Sequence, residues 1–356
     1  MSLSATAVPI DASSRQAVRQ GGARLVRAWL SGLAILVVLM VAIGGATRLT
    51  GSGLSITEWK PVTGAVPPLS DGAWSQEFEK YRASSQYQNL NRGMEIGEFK
   101  TIYWWEWSHR QLGRFLGLFF ALPLLWFWWS GRVTLRFGAT LLGIGALGGL
   151  QATVGWIMVA SGLEPGMTAV APLKLALHLL LASLILAALV WQAAGYGRPR
   201  PRSLSPLAAA VFAAIVVQIG LGGLVAGSRA GLTYNSWPLM DGRLIPPAET
   251  LFVVRPWIEN LVDNPALVQL NHRLIAYGVV ALALLQAWSW WKAAPRSRTA
   301  GRAALLGGLT LAQMALGIVT LLLAVPLWAG LAHQLLAMAV LGAATVHLRL
   351  ADRSAR

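Results

Sequence analysis

The segment Trp107–Gly117, WSHRQLGRFLG, places a histidine and an arginine side by side at the start of an apolar run. A second segment, LNHRLIAYG at Leu270–Gly278, repeats this pair in the same setting. Two further histidines, His178 in LALHLLLA and His333 in LAHQLLA, lie within later apolar runs. Ionisable residues inside membrane segments are costly and usually serve a function. The four histidines therefore indicate a membrane protein that carries two matched pairs of imidazoles.

The composition supports this interpretation. Hydrophobic residues make up 55% of the chain and charged residues only 12%, whereas a soluble domain carries about 25% charged residues. Apolar runs of about 20 residues predict membrane-spanning helices. The predicted spans are Trp29–Thr47, Leu112–Trp129, Phe137–Val159, Pro172–Trp191, Leu207–Gly227, Leu274–Trp291, Ala303–Val325 and Leu327–Leu348. The expected fold class is an all-α integral membrane protein with eight transmembrane helices.

Four features occur in the same order in both parts of the chain. The first and fifth helices end in GGATRLTGSGLSITEWKPVTGAVPP from Gly44 and GGLVAGSRAGLTYNSWPLMDGRLIPP from Gly222. The second and sixth helices share the His-Arg pair, and the fourth and eighth share the deeper histidine. The third and seventh helices share a glutamine followed four residues later by a glycine (Gln151 and Gly155, Gln313 and Gly317).

This repeat predicts two pseudo-symmetric four-helix bundles. We place them at residues 28–197 and 198–348, between tails at 1–27 and 349–356, and expect the first tail to lack regular structure. Each half has an even number of spans, so the repeats are parallel and equivalent residues lie at equal depth. We place His109 and His272 near the outer ends of their helices, and His178 and His333 about two turns deeper. The long outer loops after the first and fifth helices show no obvious regular structure.

The net charge of +15 is unevenly distributed. With eight spans, the basic residues collect on one side and nearly all the acids on the other, which is the positive-inside pattern. We therefore place the protein in the inner (cytoplasmic) membrane with both termini in the cytoplasm, and exclude nucleic acid as a partner. The basic side holds Arg15, Arg19, Arg24, Arg27, Arg132, Arg136, Arg198, Arg200, Arg202, Lys292, Arg296, Arg298, Arg302, Arg349, Arg353 and Arg356.

Two imidazoles that face each other across a bundle are suited to haem iron, which accepts axial ligands on both faces. A zinc site usually needs three or four protein ligands, and the chain has no cysteine. For any single histidine, the alternative is a hydrogen-bonded residue between helices. His347 has no partner in the repeat, and we interpret it as a residue at the membrane interface.

Glu106 distinguishes the two halves. It lies three residues before His109 and so shares a helical face with it, whereas the second half has Val268 or Gln269 at the matching place. This asymmetry suggests that one histidine site performs chemistry. The alternative is a solvated acid at the membrane boundary. Arg110 and Arg273, which follow the two histidines, could bind haem propionates or extend to lipid headgroups.

These residues carry a resemblance to the haem A synthase family, Cox15/CtaA. The chain is similar to the branch found in alphaproteobacteria and mitochondria over about residues 28–348. The matching features are Glu106-x-x-His109, Asn271-His272-Arg273, the two deeper histidines and the stretch Gly51–Pro61. Another branch has a cysteine pair in its outer loops, and a mechanism that needs that pair cannot operate here.

The resemblance implies that the chain oxidises a ring methyl group of haem O to formyl, giving haem A for terminal oxidases. It implies that His272 and His333, with Arg273 nearby, hold a resident haem b, that His109, His178 and Arg110 bind the substrate haem, and that Glu106 acts at the methyl group. The implied partners are haem O, haem O synthase, oxidase assembly factors, the lipid bilayer and an electron acceptor outside the chain, and a homo-oligomer is left open. The alternatives are a two-haem electron-transfer cytochrome, which does not explain Glu106, and a transporter with parallel repeats, which does not explain the paired histidines.

The charge distribution makes a prediction about topology. Accessibility tagging in intact cells should label cysteines introduced in the Asp71–Lys100 region from the outside. Cysteines introduced in the Arg296–Arg302 region should react only after the membrane is opened. The reverse labelling pattern would contradict the placement of all four histidines.

Overall fold

The computed structural model describes residues 12–198 and 203–351, and for residues 12–20 the backbone only. Within these ranges the chain is helical and forms no strand, and Met240 and Arg243 form an isolated β-bridge. The α-helices are α1 (Ala12–Leu49), α2 (Asp71–Arg82), α3 (Ser85–Leu90), α4 (Ile96–Trp129), α5 (Leu135–Gly162), α6 (Pro172–Gly195), α7 (Pro206–Gly227), α8 (Ala248–Leu251), α9 (Asn260–Asp263), α10 (Pro265–Ala293), α11 (Arg298–Leu322) and α12 (Leu327–Leu350).

Eight of these helices are long and apolar enough to cross a membrane, namely α1, α4, α5, α6, α7, α10, α11 and α12. They correspond one to one with the eight predicted spans, so the fold class is confirmed. The predicted irregular tail up to Arg27 is wrong from Ala12 onward, because α1 begins there. Residues 1–11 and 352–356 of the predicted tails, and Arg200 and Arg202 of the predicted cytoplasmic loop, lie outside the described residues.

Most spanning helices begin at a residue that favours a helix start. A side-chain oxygen accepts a hydrogen bond from the first turn of α5, α7, α10 and α11, which satisfies a backbone donor that has no partner within the helix. The capping residues are Thr134, Ser205, Asn264 and Ser297. Proline, whose fixed φ suits a first turn, begins α6, α7 and α10. Local sequence thus determines where these helices start.

The spanning helices have the same pattern of neighbours in both parts of the chain. Helix α1 packs against α4 and α6, and α5 packs against α4 and α6. In the second part, α7 packs against α10 and α12, and α11 packs against α10 and α12. Between the two parts, α6 contacts α7 and α12, and α1 contacts α12. The order of neighbours is thus the same in both parts, and helices of the two parts also pack against each other.

One polar contact joins the two parts next to a histidine. The Gln334 side chain on α12 donates a hydrogen bond from Nε2 to the Val41 carbonyl on α1 at 3.1 Å. It reaches α1 because Gly45 has no side chain, and a Cβ added there would lie on the Gln334 carboxamide. Its chain neighbour His333 faces α11 of its own part. Residues 333 and 334 therefore serve different helix interfaces.

The first outer loop is folded, so our expectation of a loop without regular structure is wrong. It contains α2 and α3, and these pack on the outer end of α4 through a buried cluster rich in aromatic side chains. Burial of aromatic surface is a large stabilising contribution. The cluster consists of Ile56, Trp74, Tyr81, Tyr87, Phe99 and Tyr103. The second outer loop also contains short helices, among them α8 and α9.

Within the first outer loop, ion pairs make a weaker connection between the segment that follows α1 and helix α2. Glu58 accepts from Lys60 Nζ at 2.6 Å and from Lys80 Nζ at 2.7 Å, and Lys80 also donates to Glu77 at 2.7 Å. A hydrogen bond from Lys60, which makes the largest contribution, and one from Lys80 lower the pKa of the Glu58 carboxyl to about 2. Because these groups are largely exposed, the pairs contribute little stability, and the aromatic cluster is the main attachment.

The predicted difference in depth between His272 and the deeper histidines is wrong. Helix α10 begins at Pro265, before the predicted span from Leu274, because Asn264 caps it and residues 265–273 are helical. At 1.5 Å per residue, His272 lies about 10 Å along α10, and His178 and His333 lie about 9 Å along α6 and α12. Helix α4 likewise begins at Ile96, well before His109.

Candidate functional site

Each of the four histidines lies against a glycine of the preceding spanning helix. A Cβ added to the glycine would lie 2.9 Å from Cε1 of His109 at Gly44 and 2.8 Å from Cε1 of His178 at Gly155. In the second part the corresponding distances are 3.3 Å for His272 at Gly222 and 2.8 Å for His333 at Gly317. A side chain at any of these positions would displace the imidazole. The same contact, formed four times, defines the candidate site.

Each half carries two of the histidines, on helices that share the same two neighbours. His109 on α4 and His178 on α6 lie on helices that both pack against α1 and α5, and His272 on α10 and His333 on α12 lie on helices that both pack against α7 and α11. No group of three or more histidine, cysteine, aspartate or glutamate side chains converges anywhere in the described part of the chain. The arrangement therefore offers two imidazoles per site rather than the ligand set of a protein-bound zinc ion.

Three of the imidazoles also contact a glutamine located one turn before the glycine. Gln151 Nε2 donates to the backbone carbonyl of His178 at 3.0 Å and lies 3.2 Å from its Nε2. Gln218 Nε2 donates to the carbonyl of His272 at 3.0 Å and lies 3.1 and 3.3 Å from the two ring nitrogens.

The third glutamine has the same geometry in the second half. Gln313 Nε2 donates to the carbonyl of His333 at 3.0 Å and lies 3.2 and 3.4 Å from the two ring nitrogens. In all three glutamines the carboxamide oxygen is buried without a hydrogen-bond partner. One side chain type thus contacts three of the four imidazoles in the same way.

The fourth histidine is the exception. The position equivalent to Gln218 is occupied by Met40, which cannot donate a hydrogen bond. The His109 ring has the backbone carbonyl of Met40 as a partner, and its Nδ1 atom is buried without one. Sequence reasoning identified Gln151 and Gln313 but missed Gln218 and Met40. The spacing of Gln218 and Gly222, which matches that of the other two pairs, could have revealed the third glutamine.

Glu106 is buried rather than solvated, with only 3% of its surface exposed. One oxygen accepts from Arg110 Nη2 at 2.6 Å. The other accepts from the Ser55 hydroxyl at 2.8 Å and from the Ile56 backbone N–H at 2.9 Å. Charge-assisted bonds of this kind are strong. They hold the carboxylate in one position between α4 and the outer loop, and its burial removes the alternative of a solvated interfacial acid.

The structure identifies Gln269 as the counterpart of Glu106 in the second half. Arg273 Nη2 donates to Gln269 Oε1 at 3.0 Å, across the same four-residue spacing as Arg110 and Glu106. Gln269 Nε2 donates to the carbonyls of Ala230 at 2.6 Å and Tyr234 at 3.3 Å. The two halves thus share one framework and differ by a charge at one position.

The two arginines bind the outer loops at equivalent residues. Arg110 donates to the carbonyls of Ile56 and Glu58, both at 2.9 Å. Arg273 donates to the carbonyls of Tyr234 at 3.1 Å and Ser236 at 2.9 Å. Each arginine therefore attaches the segment after the first helix of its half to the helix that carries the histidine.

A cavity of about 230 Å³ lies on the outer side of Arg110. Trp59, Trp156 and Glu164 also line it, and the Arg110 guanidinium lies 5.8 Å from the centre of the Trp59 ring. The guanidinium thus has an open side next to aromatic walls in addition to its bonds to the loop. This position is suited to a carboxylate of a bound molecule, since guanidinium groups match carboxylates.

His347 belongs to neither pair, and our interpretation of it as interfacial is wrong. Only 1% of its surface is exposed, and its ring packs edge-on against Trp290 with the ring centres 6.3 Å apart. Helix α12 continues beyond His347 to Leu350. The buried His347 ring therefore packs against other helices of the protein.

The residues at both pairs fit haem. Each pair supplies two imidazoles from helices that lie opposite each other, with the other two helices of the same half between them, and two imidazoles are the ligand set of a six-coordinate haem. The Nδ1 atoms of His109 and His178 are buried and have no partner within the protein, and an unpartnered buried nitrogen is costly unless another group binds it. The four glycines allow the imidazoles to lie close against the neighbouring helix.

Comparison with known proteins identifies relatives across nearly the whole chain. Residues 27–345 match the family model COX15-CtaA, described as cytochrome oxidase assembly protein. A protein named Heme A synthase from Methylobacterium sp. strain 4-46 is 66% identical over 329 residues, covering 91% of both chains. One of the same name from Methylobacterium radiotolerans is 63% identical, covering 93% of this chain and 91% of its own. Another from Beijerinckia indica is 53% identical, covering 93% and 94%. The chain belongs to the Cox15/CtaA family.

The glycine contacts make a prediction about stability. Gly317→Ala should destabilise the protein by about 1–3 kcal/mol, because the new methyl group overpacks against His333. Gly308→Ala, on the same helix with no atom within 4 Å of the new Cβ, should stabilise it by up to about 1 kcal/mol through helix propensity. Thermal unfolding in detergent measures both variants. Equal shifts of Tm in the same direction would contradict the proposed contact.

Proposed function

We propose that this member of the Cox15/CtaA family is a haem A synthase, which oxidises a ring methyl group of haem O to formyl. The proposal is carried by one observation. Both halves have two histidines that each lie against a glycine, but only the first half has a buried carboxylate, Glu106, beside them. An oxidase assembly family and relatives named Heme A synthase support it. The product, haem A, would serve terminal oxidases.

We assign different roles to the two halves. His272 and His333, with Arg273 nearby, would hold a resident haem b, because the equivalent of Glu106 is the neutral Gln269 there. His109 and His178 would hold the substrate haem O, with Arg110 as a partner for a propionate. When bound, haem b would supply a one-electron carrier between the substrate site and an acceptor outside the chain.

Glu106 is the proposed catalytic residue. Oxidation of a methyl group builds positive charge on its carbon and releases protons, and a fixed carboxylate in a region of low dielectric stabilises such charge or accepts a proton. Arg110, Ser55 and Ile56 hold the carboxylate in one position. The same bonds attach the outer loop, so Glu106 also has a structural role. Because this structural role would also account for Glu106 in a two-haem electron-transfer cytochrome, that protein class is the second candidate function. Conversion of added haem O to haem A distinguishes the synthase from the cytochrome.

The proposed setting follows from topology and family. The chain is a multi-pass membrane protein, and we place it in the inner membrane with both termini in the cytoplasm, as the basic inner loops predict. Haem O synthase and oxidase assembly factors are the proposed protein partners, since one supplies the substrate and the others receive the product. Pigment analysis of the purified protein by chromatography tests the substrate and cofactor assignments together.

The first test of this function concerns the resident haem. His272→Ala and His333→Ala should each remove the haem b absorption spectrum, because a six-coordinate haem loses an axial ligand. His109→Ala and His178→Ala should retain it, and His347→Ala is a control for loss of a buried histidine outside the pairs. The measured quantity is the ratio of haem b to protein. Normal haem b in both second-half variants would overturn the assignment.

The second test concerns the carboxylate. Glu106→Gln recreates the arrangement of Gln269 beside Arg273, so the framework should tolerate it with some loss of stability, because Glu106 is buried in an ion pair. Haem A production should fall by about one to two orders of magnitude, the range for loss of one acid-base group. Haem O or a hydroxymethyl intermediate should accumulate.

Ser55→Ala is the matched control for Glu106→Gln. It removes one hydrogen bond to the carboxylate but leaves the charge, so most haem A should still form. Yields are compared at equal haem b content, which corrects for stability. A near-normal yield from Glu106→Gln, or an equal loss in Ser55→Ala, would assign Glu106 to attachment of the loop alone.

A further inference from the structure

We infer that the glutamines Gln151, Gln218 and Gln313 are positioning residues that fix three of the four axial imidazoles, and that Met40 leaves His109 as the exchangeable ligand. Haem would then enter and leave the first half by making and breaking its bond to His109. The inference rests on the proposed function, because it takes both histidine pairs as haem ligands.

The first step is the shared geometry of the three glutamines. Each carboxamide binds the backbone carbonyl of its histidine at 3.0 Å and contacts the ring of the same residue within 3.4 Å. Two contacts to one residue restrict both the position of its backbone and the rotation of its ring. The glycine one turn further along the same helix contacts Cε1. The imidazole is therefore held from two adjacent turns of one helix.

The second step is the unpartnered carboxamide oxygens. They are buried in all three glutamines, and a buried acceptor without a donor is costly. Side chains that orient metal-bound imidazoles commonly control metal affinity. At His178, His272 and His333 the atom beside the ring is the amide donor Nε2, which also binds the carbonyl of the same histidine. The carboxamide therefore holds the imidazole through that carbonyl and by contact with the ring.

The third step is the exception at His109. Met40 occupies the glutamine position, and its methyl carbon is directed at α4, 3.1 Å from where a Cβ of Gly113 would lie. Its thioether cannot donate a hydrogen bond, so no carboxamide holds this ring in the way that one holds each of the other three imidazoles. His272 and His333 are both held by glutamine, as a resident haem requires. In the first half Gln151 holds the imidazole of His178, but no glutamine holds that of His109. This difference suits a substrate haem that must leave the site.

The test exchanges the two residue types between the halves. Purified full-length protein in detergent, loaded with haem O, is mixed with apomyoglobin as a haem acceptor, and chromatography separates the haem O and haem b that remain bound. Met40→Gln should slow the loss of haem O about tenfold or more, since such supporting contacts change metal affinity by about 10–100-fold. Gln218→Met should speed the loss of haem b by a similar factor. Methionine and glutamine are both unbranched and similar in size, so each exchange conserves packing.

Two controls accompany the exchange. Met40→Leu adds no amide and should leave the release of haem O unchanged. Gln286→Leu removes a fully buried amide of α10 that makes no hydrogen bond in the described structure, and should leave haem b in place. Gln218→Met should also shift the low-spin ferric EPR signal of haem b, which depends on the orientation of the axial imidazoles, and a purely structural glutamine would not produce this shift.

The outcomes separate this inference from the proposed function. Unchanged release of haem O from Met40→Gln, or of haem b from Gln218→Met, overturns the inference while the wild-type protein still binds both pigments. If Met40→Gln does not fold, the Gln218→Met measurement alone still decides whether glutamine holds the imidazole. Wild-type protein that carries no haem and binds no added haem O would instead overturn the proposed function.

Discussion

The contact between an imidazole and a glycine on the neighbouring helix is the constraint on which the rest of the structure depends. It occurs four times, and each time it sets the separation of two helices at the point where a histidine enters the bundle. Small residues allow such close approach in membranes, where burial of apolar surface does not itself draw helices together. The glycines lie near the ends of α1, α5, α7 and α11, and each contact joins its helix to the next spanning helix in the chain.

The two halves share this framework, and their differences lie in the first half. A carboxylate replaces an amide at Glu106, and a thioether replaces an amide at Met40. Both exchanges leave the size of the side chain nearly unchanged, so they alter charge and hydrogen bonding while conserving packing. A duplicated bundle can acquire a second role in this way, because the histidines and glycines that maintain its geometry stay in place. The outer loop differs more, with α2, α3 and an aromatic cluster in the first half alone.

The eight spans and the two histidine pairs could be predicted from sequence because hydropathy and an internal repeat are local patterns. The helix start at Pro265 was missed because the predicted span followed hydropathy from Leu274, whereas the helix begins nine residues earlier with Asn264 as its cap, and Gln269 finds partners in the Ala230 and Tyr234 carbonyls. The sequence left Val268 and Gln269 as possible counterparts of Glu106. Only the structure identifies Gln269, through its hydrogen bond with Arg273. Folding of the first outer loop depends on contacts between distant residues such as Trp74 and Tyr103, which no periodicity reveals.

The contact of Gln334 with α1 has a mechanical consequence. The carboxamide fits over Gly45 and binds the Val41 carbonyl, and the residue before it in the chain is one of the paired histidines. A slide of one half past the other by a single residue, about 1.5 Å along the membrane normal, would drive this amide into a neighbouring side chain. The vertical offset between the two imidazole pairs is thus fixed by the polypeptide and is independent of bilayer thickness. An electron passing between the halves would cross the same gap in a thin membrane as in a thick one.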